Sequence, residues 1–234
     1  MKLTIDINSE CNHDCTFCYA AYYAGRRTLD DFIRHVNDCP AATEVQIGGG
    51  EPLLHADLPA MAQYAVRVGK DVHIATNGTI VPPALLTFPE HDRARTNIQV
   101  SLHAATPDLH QRIVGRDTFD RVVRNLDTFR AYFPTTLSAA IYQDNLVAVP
   151  GLIALARDHQ VPIRINPVIA AGKGKHVTQL TADQLEDLTS LLLVEVMGGG
   201  VDSALIHPNN CIALARDYAI PQVDRKSTRL NSSH

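Results

Sequence analysis

Glu44-Val45-Gln46-Ile47-Gly48-Gly49-Gly50-Glu51-Pro52 opens with the alternating apolar period of a strand and runs straight into a glycine turn closed by proline. Helix-period sequence follows to Gly69, and Asp71-Val72-His73-Ile74-Ala75 returns to strand period. Strand, loop, helix and a second strand of the same kind make a βαβ unit, which joins parallel neighbours through a crossover.

The pattern repeats outward from this unit. Towards the amino terminus, Leu3-Thr4-Ile5-Asp6-Ile7 reads as a strand, followed by a cysteine-bearing loop. A helix then opens at about Thr28, where Thr28 and Asp31 have capping-box spacing and Leu29, Phe32, Ile33 and Val36 form an apolar stripe. Towards the carboxyl terminus, a turn at Asn77-Gly78 and a proline-rich stretch lead to a fourth strand, Ile98 to Leu102. A helix carrying Phe119, Val122, Val123, Leu126 and Phe129 precedes a fifth strand, Thr136 to Tyr142. A helix around Leu152 to Arg157 precedes the sixth, Ile163 to Ile169, and a last helix opens at Thr181 with Gln184 in capping-box position. Six strands alternating with helices predict the α/β class, and an open, partial (β/α)6 barrel in preference to a doubly wound layer. In either architecture the chemistry belongs to loops after the strands' carboxyl ends.

Composition sets the outer limits. The chain has 234 residues, 45% hydrophobic and 20% charged, the balance of one globular core. Its net charge of −4 offers no basic surplus for nucleic acid or an anionic membrane. No apolar run approaches the ~18 residues of a membrane span, and Met1 leads directly into strand-like sequence without a signal h-region, which predicts a cytoplasmic protein. Residues 1–196 are expected to form the core, and 197–223 the incomplete start of a carboxyl-terminal extension. Residues 224–234, Ser-rich and net positive, resemble translated sequencing-adapter read-through and are expected to be a non-native tail, the alternative being an ordinary disordered carboxyl terminus.

Five cysteines at 11, 15, 18, 39 and 211 make a poor disulfide framework, because their number is odd and three crowd into eight positions. Cys11-x3-Cys15-x2-Cys18 lies on the loop after the first strand, where three thiolates can hold three irons of a four-iron cluster and leave one iron open. The alternative is a structural zinc knuckle, with His13, Cys39 or another histidine as fourth ligand. Cys39 by itself reads as a small apolar residue at a helix end. After the second strand, the small residues Gly49 and Gly50 let the backbone approach a ligand closely, and Glu51 at the mouth can accept hydrogen bonds from an ammonium group.

With these motifs together, the chain resembles the radical S-adenosylmethionine (radical SAM) superfamily. Its signature is CxxxCxxC, usually with an aromatic before the last cysteine, a place that Phe17 fills, and the GGEP motif matches at 49–52. The resemblance implies a [4Fe–4S] cluster on Cys11, Cys15 and Cys18, and S-adenosylmethionine whose methionine amine is held by Gly49, Gly50, Glu51 and Pro52. It places Phe17 and Tyr19 near the adenine, and Thr76, Asn77 and Ser101 near the ribose or carboxylate. Ser101 also reads as a satisfied strand hydroxyl, and Thr76-Asn77-Gly78 as a plain turn. Arg164 suits the cosubstrate carboxylate or an ion pair within the barrel. The catalytic outcome implied is reductive cleavage to a 5′-deoxyadenosyl radical that abstracts hydrogen from a substrate. A low-potential electron donor of flavodoxin or ferredoxin type follows as a partner. His55, His103 and His110 are candidates for proton transfer or substrate contact, against an ordinary polar role.

The sixth strand, Arg164 to Ile169, followed by Gly172-Lys173-Gly174-Lys175, looks like members that carry a SPASM extension, many of which modify peptides or proteins. Because strand one begins almost at Met1, a peptide substrate is expected to need a separate recognition partner or the missing carboxyl-terminal region. A cofactor-biosynthesis enzyme resembling the molybdopterin-pathway cyclases is the alternative within the family, and a non-catalytic zinc module the alternative outside it.

Overall fold

The computed structural model describes residues 1–19 and 25–197. Six parallel strands form one sheet: β1 (Lys2–Asn8), β2 (Glu44–Gly49), β3 (Asp71–Thr76), β4 (Thr96–Ser101), β5 (Thr135–Ile141) and β6 (Ile163–Pro167). Their spatial order is their chain order, β1-β2-β3-β4-β5-β6. A doubly wound sheet requires that order to reverse. Six strands added in one direction by right-handed crossovers put all helices on one face and curl the sheet into an open partial barrel, as expected.

Alternation along each strand makes the two faces. Val45 and Ile47, Val72 and Ile74, and Ile98 and Val100 are buried under the helices, in one apolar cluster with Phe32, Met61, Leu126 and Phe129. Each of these aromatic and aliphatic side chains contributes roughly 1.5–3 kcal/mol by leaving water. On the opposite face the register aligns Thr4 with Gln46, Gln46 with His73 and His73 with Asn97, none of them fully buried. The inner face of the barrel is therefore polar and half-open.

The helices are α1 (Leu29–Asn37), α2 (Leu58–Arg67), α3 (Pro83–Leu86), α4 (Glu90–Ala94), α5 (Pro107–Val114), α6 (Phe119–Tyr132), α7 (Val149–Asp158) and α8 (Ala182–Met197). The Thr28/Asp31 capping box forms in both directions, and so does the reciprocal pair of Thr181 and Gln184. Strand ends differ from the expected ones by one or two residues. The short helices α3 and α4 lie in the proline-rich stretch, and α5 in a segment given no element from the sequence, because four to eight residues carry too few apolar positions to establish a period. Pro107 at the start of α5 and Gly115 after its end were the available signals.

No helix among the described residues is long and apolar enough to cross a membrane. Apart from Met197, the last residue of α8, the expected extension over 197–223 and the tail over 224–234 lie outside the described residues, and Cys211 with them.

Candidate active site

The cysteine loop leaves β1 through a register shift: Asp6 pairs with Gly48, but Asn8 with Gly49. That offset brings the two loops at the strand ends into direct contact. The Gly50 N–H donates to the Asn8 carbonyl at 2.7 Å, and the Glu51 N–H to the Glu10 carbonyl at 2.7 Å. The buried Asn8 side chain returns a hydrogen bond from Nδ2 to the Glu51 carbonyl at 2.9 Å. The glycines are thus needed against the chain's own first loop. Gly49 has φ +123°, and a Cβ there would stand 2.4 Å from the Asn8 carbonyl oxygen; a Cβ on Gly50 would stand 2.2 Å from that of Glu10.

Two further supports were not read from the sequence. The N–H groups of Asp14 and Thr16 donate, each at 2.9 Å, to the carbonyls of Val114 and Ile113 at the end of α5, so the loop uses acceptors that a helix terminus leaves open. From the other side, the loop after β6 packs down on Phe17–Tyr19. The Lys173 N–H donates to the Cys18 carbonyl at 2.8 Å, and a Cβ at Gly172 would meet that same oxygen at 2.4 Å. Lys173 Nζ also pairs with Asp14. The spacing Gly172-x-Gly174 was the available signal for this close approach.

Cys11 is exposed, Cys15 and Cys18 are half-buried, and all three are free thiols. Cys11 Sγ accepts from the His13 N–H at 3.4 Å and from Asn77 Nδ2 at 3.9 Å. Burial, and then the neighbouring Cys11 and Cys18, push the Cys15 thiol up to about 12; burial also raises Cys11. Two thiols raised by burial, beside a third and with N–H donors already on Cys11, suit a shared cationic iron cluster. Among the described residues no three His, Cys, Asp or Glu side chains converge on a single-ion site. His13, the nearest candidate for a fourth zinc ligand, turns Nε2 to Thr118 Oγ at 2.9 Å. Cys39 follows α1 just before β2 begins, at the opposite end of the sheet.

Glu51 lies deeper than the expected mouth position, at 1% exposure. Its Oε1 accepts from the Leu53 N–H at 2.9 Å and from Thr76 Oγ at 2.7 Å, and its Oε2 from the Asn77 N–H at 2.6 Å. A carboxylate has about four lone-pair positions, so one remains on Oε2. Burial outweighs these three donors and raises the carboxyl to about 7. Pro52 begins a short 3-10 turn directly beyond it.

The remaining positions divide. Asn77 bridges two loops: Nδ2 donates to Asn12 Oδ1 at 2.6 Å, while Asn12 Nδ2 donates to Thr79 Oγ at 2.8 Å. Phe17 packs edge-on against His103, with ring centroids 4.8 Å apart, and tilted against Tyr142. Tyr19 is 48% exposed, with its hydroxyl towards Gly48 and its phenol raised by burial, then by Asp6 and Cys18. Ser101 ends β4 half-buried, in register with Ser138, which is in register with Arg164. The Arg164 charge acts mainly with Glu44 and Lys2, at the amino ends of β2 and β1.

The three histidines are occupied by the scaffold. His55 Nε2 donates to the Arg27 carbonyl at 2.9 Å, and its Nδ1 accepts from the Asp57 N–H at 3.1 Å. His103 Nδ1 accepts from the Ala140 N–H at 3.1 Å, and burial holds the ring neutral with a pKa lowered to about 3. His110 is fully buried beside Thr118.

A three-cysteine loop and a GGEP turn, tied together at the carboxyl ends of adjacent strands in a partial barrel, define a class of iron–sulfur enzyme core. The sequence profile of the Radical SAM superfamily matches residues 5–155, and the chain belongs to that superfamily. Its members work with a [4Fe–4S] cluster and S-adenosylmethionine. The chain is 28% identical over 204 residues to the mycofactocin maturase MftC of Mycobacterium tuberculosis, covering 82% of this chain and 51% of that protein. It is 25% identical over 203 residues to a probable GTP 3′,8-cyclase of Pyrobaculum aerophilum, covering 82% of this chain and 65% of that one. Its fold resembles Streptococcus suis SuiB bound to the precursor peptide SuiA, with a TM-score of 0.76 at 14% identity over 95% of this chain and 53% of that one. The chain thus spans about half to two thirds of the length of these relatives.

Proposed function

We propose that residues 1–196 are the radical-generating core of a peptide or protein maturase. The observation that carries the core assignment is the direct fastening of the cysteine loop to the GGEP turn, through Gly50 to Asn8 and Glu51 to Glu10. Cys11, Cys15 and Cys18 would hold three irons, leaving the fourth for S-adenosylmethionine. When bound, the reduced cluster supplies the electron that cleaves S-adenosylmethionine to methionine and a 5′-deoxyadenosyl radical. Glu51 would accept one ammonium hydrogen on the free Oε2 position while Leu53, Thr76 and Asn77 hold the carboxylate still. Phe17, Tyr19 and Tyr142 would wall the site against water, as a reactive carbon radical requires. Ser101 remains the proposed contact to the rest of the cosubstrate, while the Thr76 hydroxyl is committed to Glu51 and the Arg164 charge to Glu44 at the amino end of the barrel.

The peptide reading is supported by the likeness to a maturase and by the precursor peptide bound to SuiB. A nucleotide substrate is the second reading, favoured by the likeness to a GTP 3′,8-cyclase. Thiolate ligands require a reducing compartment, here the cytoplasm, and the cluster requires a low-potential donor of flavodoxin or ferredoxin type.

Anaerobic reconstitution is expected to give about four irons and four sulfides per chain, and slow formation of 5′-deoxyadenosine with dithionite. Zinc in place of iron and sulfide would overturn the assignment. Acceleration by a precursor peptide encoded beside the protein supports the first substrate reading; acceleration by GTP supports the second.

Glu51 gives the site a pH signature. Its folded pKa of about 7 lies above the ordinary 4.5, so the folded protein holds more protons between those values. This group's contribution to stability is therefore complete below pH 4.5 and declines as pH rises towards 7. Binding an ammonium has the opposite preference, because it needs the anion. Affinity for S-adenosylmethionine is expected to fall several-fold from pH 8 to pH 6, measured by equilibrium dialysis on the reconstituted protein. Glu51→Gln should bind more weakly, by roughly 1–3 kcal/mol, and lose that pH dependence.

A further inference from the structure

Thr118 occupies the N-cap position of α6, yet its side chain makes no capping hydrogen bond. Threonine at this position ordinarily accepts from the helix's first N–H groups; here the hydroxyl is committed elsewhere. It lies 2.9 Å from His13 Nε2 and 3.0 Å from His110 Nε2. One hydroxyl has one proton, so it donates to one imidazole and accepts from the N–H of the other. His110 is completely buried, its Nδ1 has no partner among the described residues, and its ring stands edge-on to both His13 and Phe119. Thr118 is therefore its hydrogen-bonding anchor, and the same atom reaches into the cysteine loop.

His13 lies between Cys11 and Cys15, and its own N–H is the donor to Cys11 Sγ. We infer that Thr118 is a positioning residue: by gripping the His13 ring it holds the His13 N–H on the Cys11 sulfur. The inference rests on the reading that Cys11 ligates iron. Hydrogen bonds to a cluster's sulfurs stabilise the negative charge added on reduction, so this one raises the reduction potential.

The test compares reconstituted wild type with Thr118→Val, which keeps the side-chain shape, and Thr118→Ser, which keeps the hydroxyl. Potentials are read by redox titration with electron paramagnetic resonance, alongside iron content and thermal midpoint. Thr118→Val is expected to load iron as wild type does, but to show a ratio of reduced to oxidised cluster about threefold lower at the wild-type midpoint, a shift of about 30 mV downward for one electron. Thr118→Ser should restore the wild-type potential. His13→Ala should give the same downward shift, and adding Thr118→Val to it should give no more; this arm decides the matter if Thr118→Val alone fails to fold. An unchanged potential in Thr118→Val and His13→Ala, or a shift in Thr118→Ser equal to that in Thr118→Val, would overturn the inference. Failure of wild type to bind iron and sulfide would instead remove the cluster reading on which it stands.

Discussion

Cys15→Ala is expected to abolish 5′-deoxyadenosine formation and to leave the reconstituted chain without an intact four-iron cluster. Cys15 is the middle of the three proposed ligands, with Cys11 and Cys18 close enough on either side to raise its thiol electrostatically after burial, so no other described cysteine can replace it. Cys39 is at the far end of the sheet. The substitution removes a half-buried thiol, and the loop's anchors at this point are the backbone bonds of Asp14 and Thr16. Fold stability without iron should therefore change by less than about 1 kcal/mol while activity is lost. Iron and sulfide content, far-ultraviolet circular dichroism and product assay on one preparation check all three statements. Equal product from wild type and variant would sink the assignment.

Gly50→Ala is expected to have the largest effect on the scaffold. A Cβ at this position meets the Glu10 carbonyl oxygen at 2.2 Å, with the Ser9 carbonyl oxygen at 2.7 Å. Both are backbone atoms, so no side-chain rotation relieves the overlap. The two loops must separate, which breaks Glu51 N–H to Glu10 and loosens Gly50 N–H to Asn8. One lost and one weakened hydrogen bond, with the displaced loop, together should cost about 3 kcal/mol or more. Urea denaturation reads the stability change, and iron content should fall as well, because the same separation moves Cys11. A variant that matches wild type in both would refute the tight fastening of the loops. Gly69→Ala, with no atom within 4 Å of the added Cβ but a φ of +83°, provides a comparison in which only backbone strain acts.

The order of strands was readable because β1 to β6 each bury one apolar face, so the period-two pattern and the intervening helical stretches survive in the sequence. The caps at Thr28 and Thr181 were readable for a similar reason: both depend on contacts only three residues apart. The site was readable only as far as its chemistry is local. Three cysteines and a glycine turn can be recognised from spacing, but the depth of Glu51 depends on Thr76 and Asn77, 25 and 26 residues away. No local rule placed the end of α5 under Asp14, or Lys173 over Cys18. Thr118 is the sharpest case: its position names it a helix cap, and only the fold reveals that its hydroxyl serves two histidines.

The contact between Lys173 and Asp14 closes a span of 159 residues, and the other supports of the cysteine loop come from β2, β3 and α5. Loop closure on that scale is entropically late, since the intervening strands must pair before their ends can meet. The cysteine loop should accordingly be among the last segments to gain protection from amide exchange during refolding. Iron supplied before that moment would find three thiols on a mobile chain, exposed to oxidation and mispairing; supplied afterwards, it would find them presented together. Assembly of the protein thus has a built-in sequence of events, in which the scaffold matures before the inorganic centre is installed.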